Sequence, residues 1–187
     1  MKLINPQQDP WHTVGGEDGP MPHPSPVPHL LLTIEQWHAV REGWPAGLPT
    51  GVMLPNDVDI ETLVADLPRL QLLALQFPKW VDGRAYSQAR LLASRHRYAG
   101  EVRACGEVLV DMLPLLLRTG FTAARLRADQ KRAVAERVLD FAGGLGYAGY
   151  YQGDTHQTQP AFARNLADEV SGKAEREIAD LYAGQGI

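Results

Sequence analysis

Between residues 52 and 142, short apolar runs alternate with segments of helical period, and this alternation restricts the fold more than any other property of the chain. The spacing predicts strand Val52 to Leu54, helix Asp59 to Leu67, strand Gln71 to Phe77, helix Ser87 to Tyr98 and strand Glu101 to Cys105. A helix ending near Thr119, a strand from Phe121 to Leu126 and a helix from Asp129 to Ala142 follow. Strands joined through helices require crossover connections, which run right-handed and pair the strands in parallel. About four or five strands are too few for an eight-stranded barrel, so the expectation is an α/β domain with a small, mostly parallel sheet, open or curved like part of a barrel.

Ahead of this region, Leu30 to Leu32 reads as a short strand. Thr33-Ile34-Glu35-Gln36 has the form of a capping box, with a helix running on to about Arg41. Gly43, Pro45, Gly47 and Pro49 then break the chain. Ile60, Leu63, Val64 and Leu67, and again Val134, Val138 and Phe141, recur at spacings of three and four and are expected to face the sheet. Pro114 cannot sit quietly inside a helix, because it lacks an amide and clashes with the preceding turn. Either the helix starts close to Pro114, leaving Gly106 to Met112 as a longer loop, or it is kinked there.

From Asn5 to Pro28 the chain is rich in Pro, Gly and His and lacks apolar periodicity, so residues 1–29 are expected to form an extended arm. Trp11 points to packing on the chain's own domain or a partner subunit, against the alternative of disorder. A single α/β domain is expected over 30–162 and a C-terminal helical extension over 163–187. In that extension Leu166, Val170, Ala174, Ile178 and Leu181 form roughly one stripe, interrupted by Gly172, suited either to self-association into a homo-oligomer or to exposure.

A chain of 187 residues with 44% hydrophobic content suits one core, and a formal charge of −4 supplies no long-range field for nucleic acid. The single cysteine, Cys105, excludes an internal disulfide and a self-contained iron–sulfur or zinc–cysteine cluster, and fits a reducing, cytoplasmic setting. The start MKLINPQQDPWH has no apolar run, and the longest apolar patch, Met112 to Leu117, is far short of the roughly 20 residues that span a bilayer. The six histidines are scattered without ligand spacing, so no metal site is expected.

Ligands of parallel sheets bind beyond the carboxyl ends of strands, where helix starts offer free amides to anions. Asp82, Gly83, Arg84, Tyr86 and Ser87 follow one predicted strand, with Ser87 as the expected helix cap and Arg90 beyond it. Arg103 lies on the next strand, and Asp111 follows it. Together these residues are the candidate anion-binding set, with Arg84, Arg90 and Arg103 grouped on one rim around a small oxyanion or a partner's heme propionates. The competing reading is structural: Asp82–Arg84 and Glu101–Arg103 as local ion pairs, with Gly83 and Gly106 turning the backbone. Tyr86 is either a proton donor or a buried aromatic anchor. Cys105 is either a thiol activated by Arg103 or a small core residue without a resolving partner. Gly143-Gly144-Leu145-Gly146 follows a helix rather than a strand, so it reads as a helix end and not a phosphate loop.

The runs Asp82-Gly83-Arg84-Ala85-Tyr86-Ser87, Ala89-Arg90-Leu91-Leu92 and Gly100-Glu101-Val102-Arg103-Ala104, with Gly106, Val108, Leu109, Asp111 and Gly120-Phe121, resemble the bacterial domain-of-unknown-function family 934 from about Trp11 to Phe162. The resemblance implies an auxiliary role in assimilatory sulfite reduction beside the sulfite reductase hemoprotein, either as an oxidoreductase or electron-delivery partner or as a non-catalytic adaptor or oxyanion-binding module. Relatives more often carry a cysteine where this chain has Thr119, which argues against a thiol mechanism shared by the family. No recognisable flavin, nicotinamide or iron–sulfur motif names a cofactor, and no set of residues names a reaction.

Overall fold

The computed structural model describes residues 1–16 and 19–144. In chain order the strands are β1 (Lys2–Leu3), β2 (Gly15–Gly16), β3 (Gly19–Pro20), β4 (Leu30–Thr33), β5 (Thr50–Leu54), β6 (Leu72–Phe77), β7 (Glu101–Gly106) and β8 (Ala123–Ala124). The helices are α1 (Ile34–Val40), α2 (Arg84–Arg90), α3 (Leu113–Thr119) and α4 (Arg132–Gly144). Six strands make one open sheet in the order β1-β8-β7-β6-β5-β4, every pair parallel. The expected α/β architecture is therefore present, with short β1 and β8 extending one edge.

From β4 to β8 each strand lies beside its predecessor, so the sheet grows in one direction without a reversal. Crossovers of one hand in such a sheet put all their helices on one face. That face carries the main core, in which Leu32, Val52, Leu54, Leu73, Leu75, Phe77, Val102 and Ala104 from the strands meet Trp37, Ala85, Ala89, Leu113, Leu116 and Ala135 from the helices. Phe77, Tyr86 and Phe121 form an aromatic cluster within it, with centroids 5.1 to 6.3 Å apart.

The opposite face belongs to the N-terminal arm. β1 pairs with β8 at one edge, and His12 bridges to Leu30 of β4 at the other, so the intervening residues cross the sheet as a strap. Trp11 packs against the small cluster of Leu31, Leu72 and Ala74. Gly51 permits this approach, because a Cβ there would lie 3.0 Å from the Trp11 ring and 3.1 Å from Leu31 and Leu72. The arm is thus largely irregular, as its composition implies, but it is the second layer of the sheet.

Several elements depart from their predicted form. Residues 59 to 67 form a 3₁₀ turn, Ile60–Leu63, followed by another, Leu67–Arg69, rather than one α-helix. Asp59 caps the first by accepting from the Glu61 amide, and Pro68 disfavours α geometry at Leu67. The tighter winding buries Ile60 and Leu63 and leaves Val64 37% exposed. Of the described side chains of α4, Ala135 is buried and Val138 packs against the core, while Val134 of the expected stripe is 36% exposed and the Phe141 side chain lies outside those described. Pro114 falls in the first turn of α3, where its missing amide is harmless, and a 3₁₀ turn at Val110–Met112 precedes it. The capping box at Thr33 and Gln36 forms as read. Gly143 and Gly144 lie within α4, while Leu145, Gly146 and the extension over 163–187 lie outside the described residues.

Candidate functional site

The loop after β6 carries the first group of candidates. Asp82 accepts from the Arg84 backbone amide at 3.2 Å and pairs with its guanidinium at 2.8 Å. These contacts open α2 at Arg84, three residues before the predicted cap, so Ser87 is an exposed residue inside the helix and does not cap it. The same guanidinium holds the Asp82 carboxyl well below the usual carboxylate range, helped by the Arg84 amide. Gly83 has φ −84°, and a Cβ there would meet only the Tyr86 ring at 3.7 Å, so neither conformation nor close approach demands glycine.

Tyr86 turns inward against Phe77 and Phe121, and burial pushes its phenol up to about 12. Its ring is a core anchor with a firmly protonated hydroxyl. Arg90 ends α2 on its exposed side, and Asp111 lies exposed in the turn before α3.

Arg103 sits elsewhere. Side chains alternate across a strand, so Val102 and Ala104 face the helices while Arg103 projects into the strap face. It is buried there, with Nη1 2.5 Å from Asp9 of the strap and Nε 2.6 Å from Glu101. The expectation that Arg84 and Arg103 line one positively charged rim is therefore corrected: α2 starts on the helical side, and Arg103 is committed to two carboxylates on the other. Asp9, its interstrand-face partner, escaped sequence reasoning because nothing in a Pro-rich arm marks one aspartate as buried.

Beyond the strap, the described residues leave the upper part of this face open. A cleft of about 320 Å³ lies at the carboxyl ends of β5 to β8, lined by Met53, Gln76, Cys105, Gly106, Arg125, Leu126, Arg127 and Ala128. Its floor follows from strand alternation, since Met53, Gln76 and Cys105 are the residues facing away from the helices. Gly106 has φ +92°, and a Cβ on it would lie 2.5 Å from the Phe77 carbonyl oxygen, so only glycine fits at this margin. Arg127 is tied to Glu107 at 2.7 Å and Asp129 at 2.6 Å, which raise its pKa and lower that of Asp129 to about 2.

Cys105 donates to the Leu75 carbonyl at 3.4 Å, and burial pushes its thiol up to about 11 against the smaller opposing influence of Arg125 and Arg103. The activation by Arg103 weighed from sequence is thus outmatched by desolvation, and the thiol stays neutral at physiological pH. The cleft residues had a sequence signal. Arg125-Leu126-Arg127 follows a strand, just as Asp82-Gly83-Arg84 does, but the predicted strand ran through Leu126 and absorbed Arg125, whereas β8 stops at Ala124.

Among the described residues, no helix is long and apolar enough to cross a membrane, and no group of three or more His, Cys, Asp or Glu side chains converges in a metal-binding arrangement. No curated protein matches the chain. A family model does match, over residues 51–162, from β5 through α4 and beyond, and on that match the chain belongs to the family described as bacterial protein of unknown function, DUF934.

Proposed function

We propose that the protein is an auxiliary factor of assimilatory sulfite reduction that works as a docking partner of the sulfite reductase hemoprotein. The pathway rests on the family resemblance carried by the segments around DGRAYS and GEVRAC. The docking mode rests on one observation: the loop between β6 and α2 presents Trp80 and Val81 at 56% and 65% exposure, beside Lys79 and the Asp82–Arg84 pair. A tryptophan flanked by arginine is the composition of an interface hot spot, where a large ring is desolvated and a guanidinium meets acidic groups.

Two measurements test this reading. A deletion strain is expected to grow poorly on sulfate and normally on cysteine, and unimpaired growth on sulfate overturns the pathway. Copurification with the hemoprotein is expected to weaken strongly on Trp80→Ala or Arg84→Ala with the melting temperature retained. Undiminished copurification of both variants moves the interface away from this loop. The electron-delivery reading requires a bound redox group, which the absorption spectrum of protein purified from its native host reveals directly.

A further inference from the structure

We infer that the cleft at the carboxyl ends of β5 to β8 binds a small organic carboxylate with an apolar body, anchored by Arg125. This site is separate from the Trp80 loop and does not depend on the docking role. Three observations converge on it. Arg125 is exposed, and its guanidinium makes no hydrogen bond or ion pair to any described residue, unlike Arg103 and Arg127 in the same region. A guanidinium in a concave site offers a planar fork that matches a carboxylate. The cleft volume, about 320 Å³, is within the range of small-molecule pockets and leaves room beyond an inorganic oxyanion.

The walls define the rest of the ligand. Met53 and Leu126 supply apolar surface, and the Cys105 thiol is neutral, so it does not compete for the Arg125 charge. Among the described residues, the Gln76 side-chain amide donates to the Met53 thioether, a weak acceptor that a ligand oxygen replaces at little cost. Gly106 keeps the margin free of a side chain. A carboxylate on Arg125, an oxygen near Gln76 and a short hydrocarbon against Met53 and Leu126 match these features of the lining.

The full-length protein is titrated with butyrate, hexanoate and octanoate, with hexanamide as the uncharged counterpart and sulfate and sulfite as anions without an apolar part. Binding is followed by NMR at the Gln76 side-chain amide and the Gly106 backbone amide. At least one of the carboxylates is expected to shift both signals, hexanamide neither, and the inorganic anions more weakly. Arg125→Ala, at an exposed position outside the core, is expected to weaken that carboxylate about ten- to a hundredfold, as loss of a charge-assisted hydrogen bond does, while Arg125→Lys retains part of the affinity. Hexanamide binding as well as hexanoate, or affinity unchanged in Arg125→Ala, overturns the anchoring role. Sulfate binding as well as every carboxylate overturns the ligand class, and no response to any carboxylate overturns the site.

Discussion

The two faces of the sheet are held by different physics. On the helical face, many apolar side chains from four helices and six strands interdigitate, and no single contact defines the layer. On the other face, one irregular strap holds on through Trp11 over Gly51, the Asp9–Arg103–Glu101 ion cluster and short pairings at the two edges. A parallel sheet is normally covered on both faces because its backbone and alternating side chains are otherwise wet and unpacked. A narrow strap covers only part of a face, and the part that the described residues leave uncovered, at the strand carboxyl ends, is where the cleft with Arg125 lies.

Deleting one large side chain on the helical face is expected to have the greatest effect. Phe77→Ala removes a fully buried ring from the aromatic cluster and is expected to cost about 3–5 kcal/mol in denaturant-induced unfolding. A cost below about 1 kcal/mol would mean the cluster is not the centre of the core. On the strap face the comparable weak point is polar. Arg103→Ala leaves the Asp9 and Glu101 carboxylates without their shared cation and is expected to cost about 3–5 kcal/mol. It is also expected to speed proteolytic cleavage within residues 5–28, a readout that Phe77→Ala at equal stability does not reproduce if the two layers differ as described.

Smaller effects sharpen the contrast. Gly106→Ala forces a side chain into a left-handed backbone conformation and against the Phe77 carbonyl, with an expected cost of about 1–3 kcal/mol. Gly83→Ala, made where no such constraint exists, is expected to stay within about 0.5 kcal/mol of the parent. The weakest expected effect lies in the exposed Arg127–Asp129 pair. Asp129 has its pKa lowered from 3.8 to about 2 by the Arg127 guanidinium, so its contribution is present above pH 3.8 and lost as the pH falls toward 2. Asp129→Asn is expected to lower stability slightly at neutral pH, with most of that difference gone by pH 2. A difference that persists undiminished in acid assigns the aspartate a role other than charge.

How far the sequence could be read follows from the range of each interaction. The Thr33–Gln36 capping box was legible because its groups are three residues apart, and Pro114 narrowed α3 to a nearby start or a kink, of which the start, at Leu113, is the one that formed. The 3₁₀ winding at 60–63 was not, since apolar spacings of three and four suit either helix and Pro68 decided the matter from beyond the segment. Asp82 and Arg84 were correctly placed after a strand, yet their capping geometry displaced Ser87 from the helix start. Arg103 was singled out by its charge and its place on a strand, and neither says which face of the strand it occupies or whether a distant carboxylate meets it.

The sequence by itself determined the α/β alternation and the parallel sheet, because these depend on periodicity within a few residues and on the crossovers it imposes. Only the tertiary structure decided that the Pro-rich arm would cross the sheet, that Asp9 would claim Arg103, and that the Arg125 guanidinium would meet no hydrogen-bonding or ionic partner among the described residues. Those outcomes join residues as far apart as Asp9 and Arg103, and no local preference encodes which of several carboxylates reaches a given arginine once the chain has closed on itself.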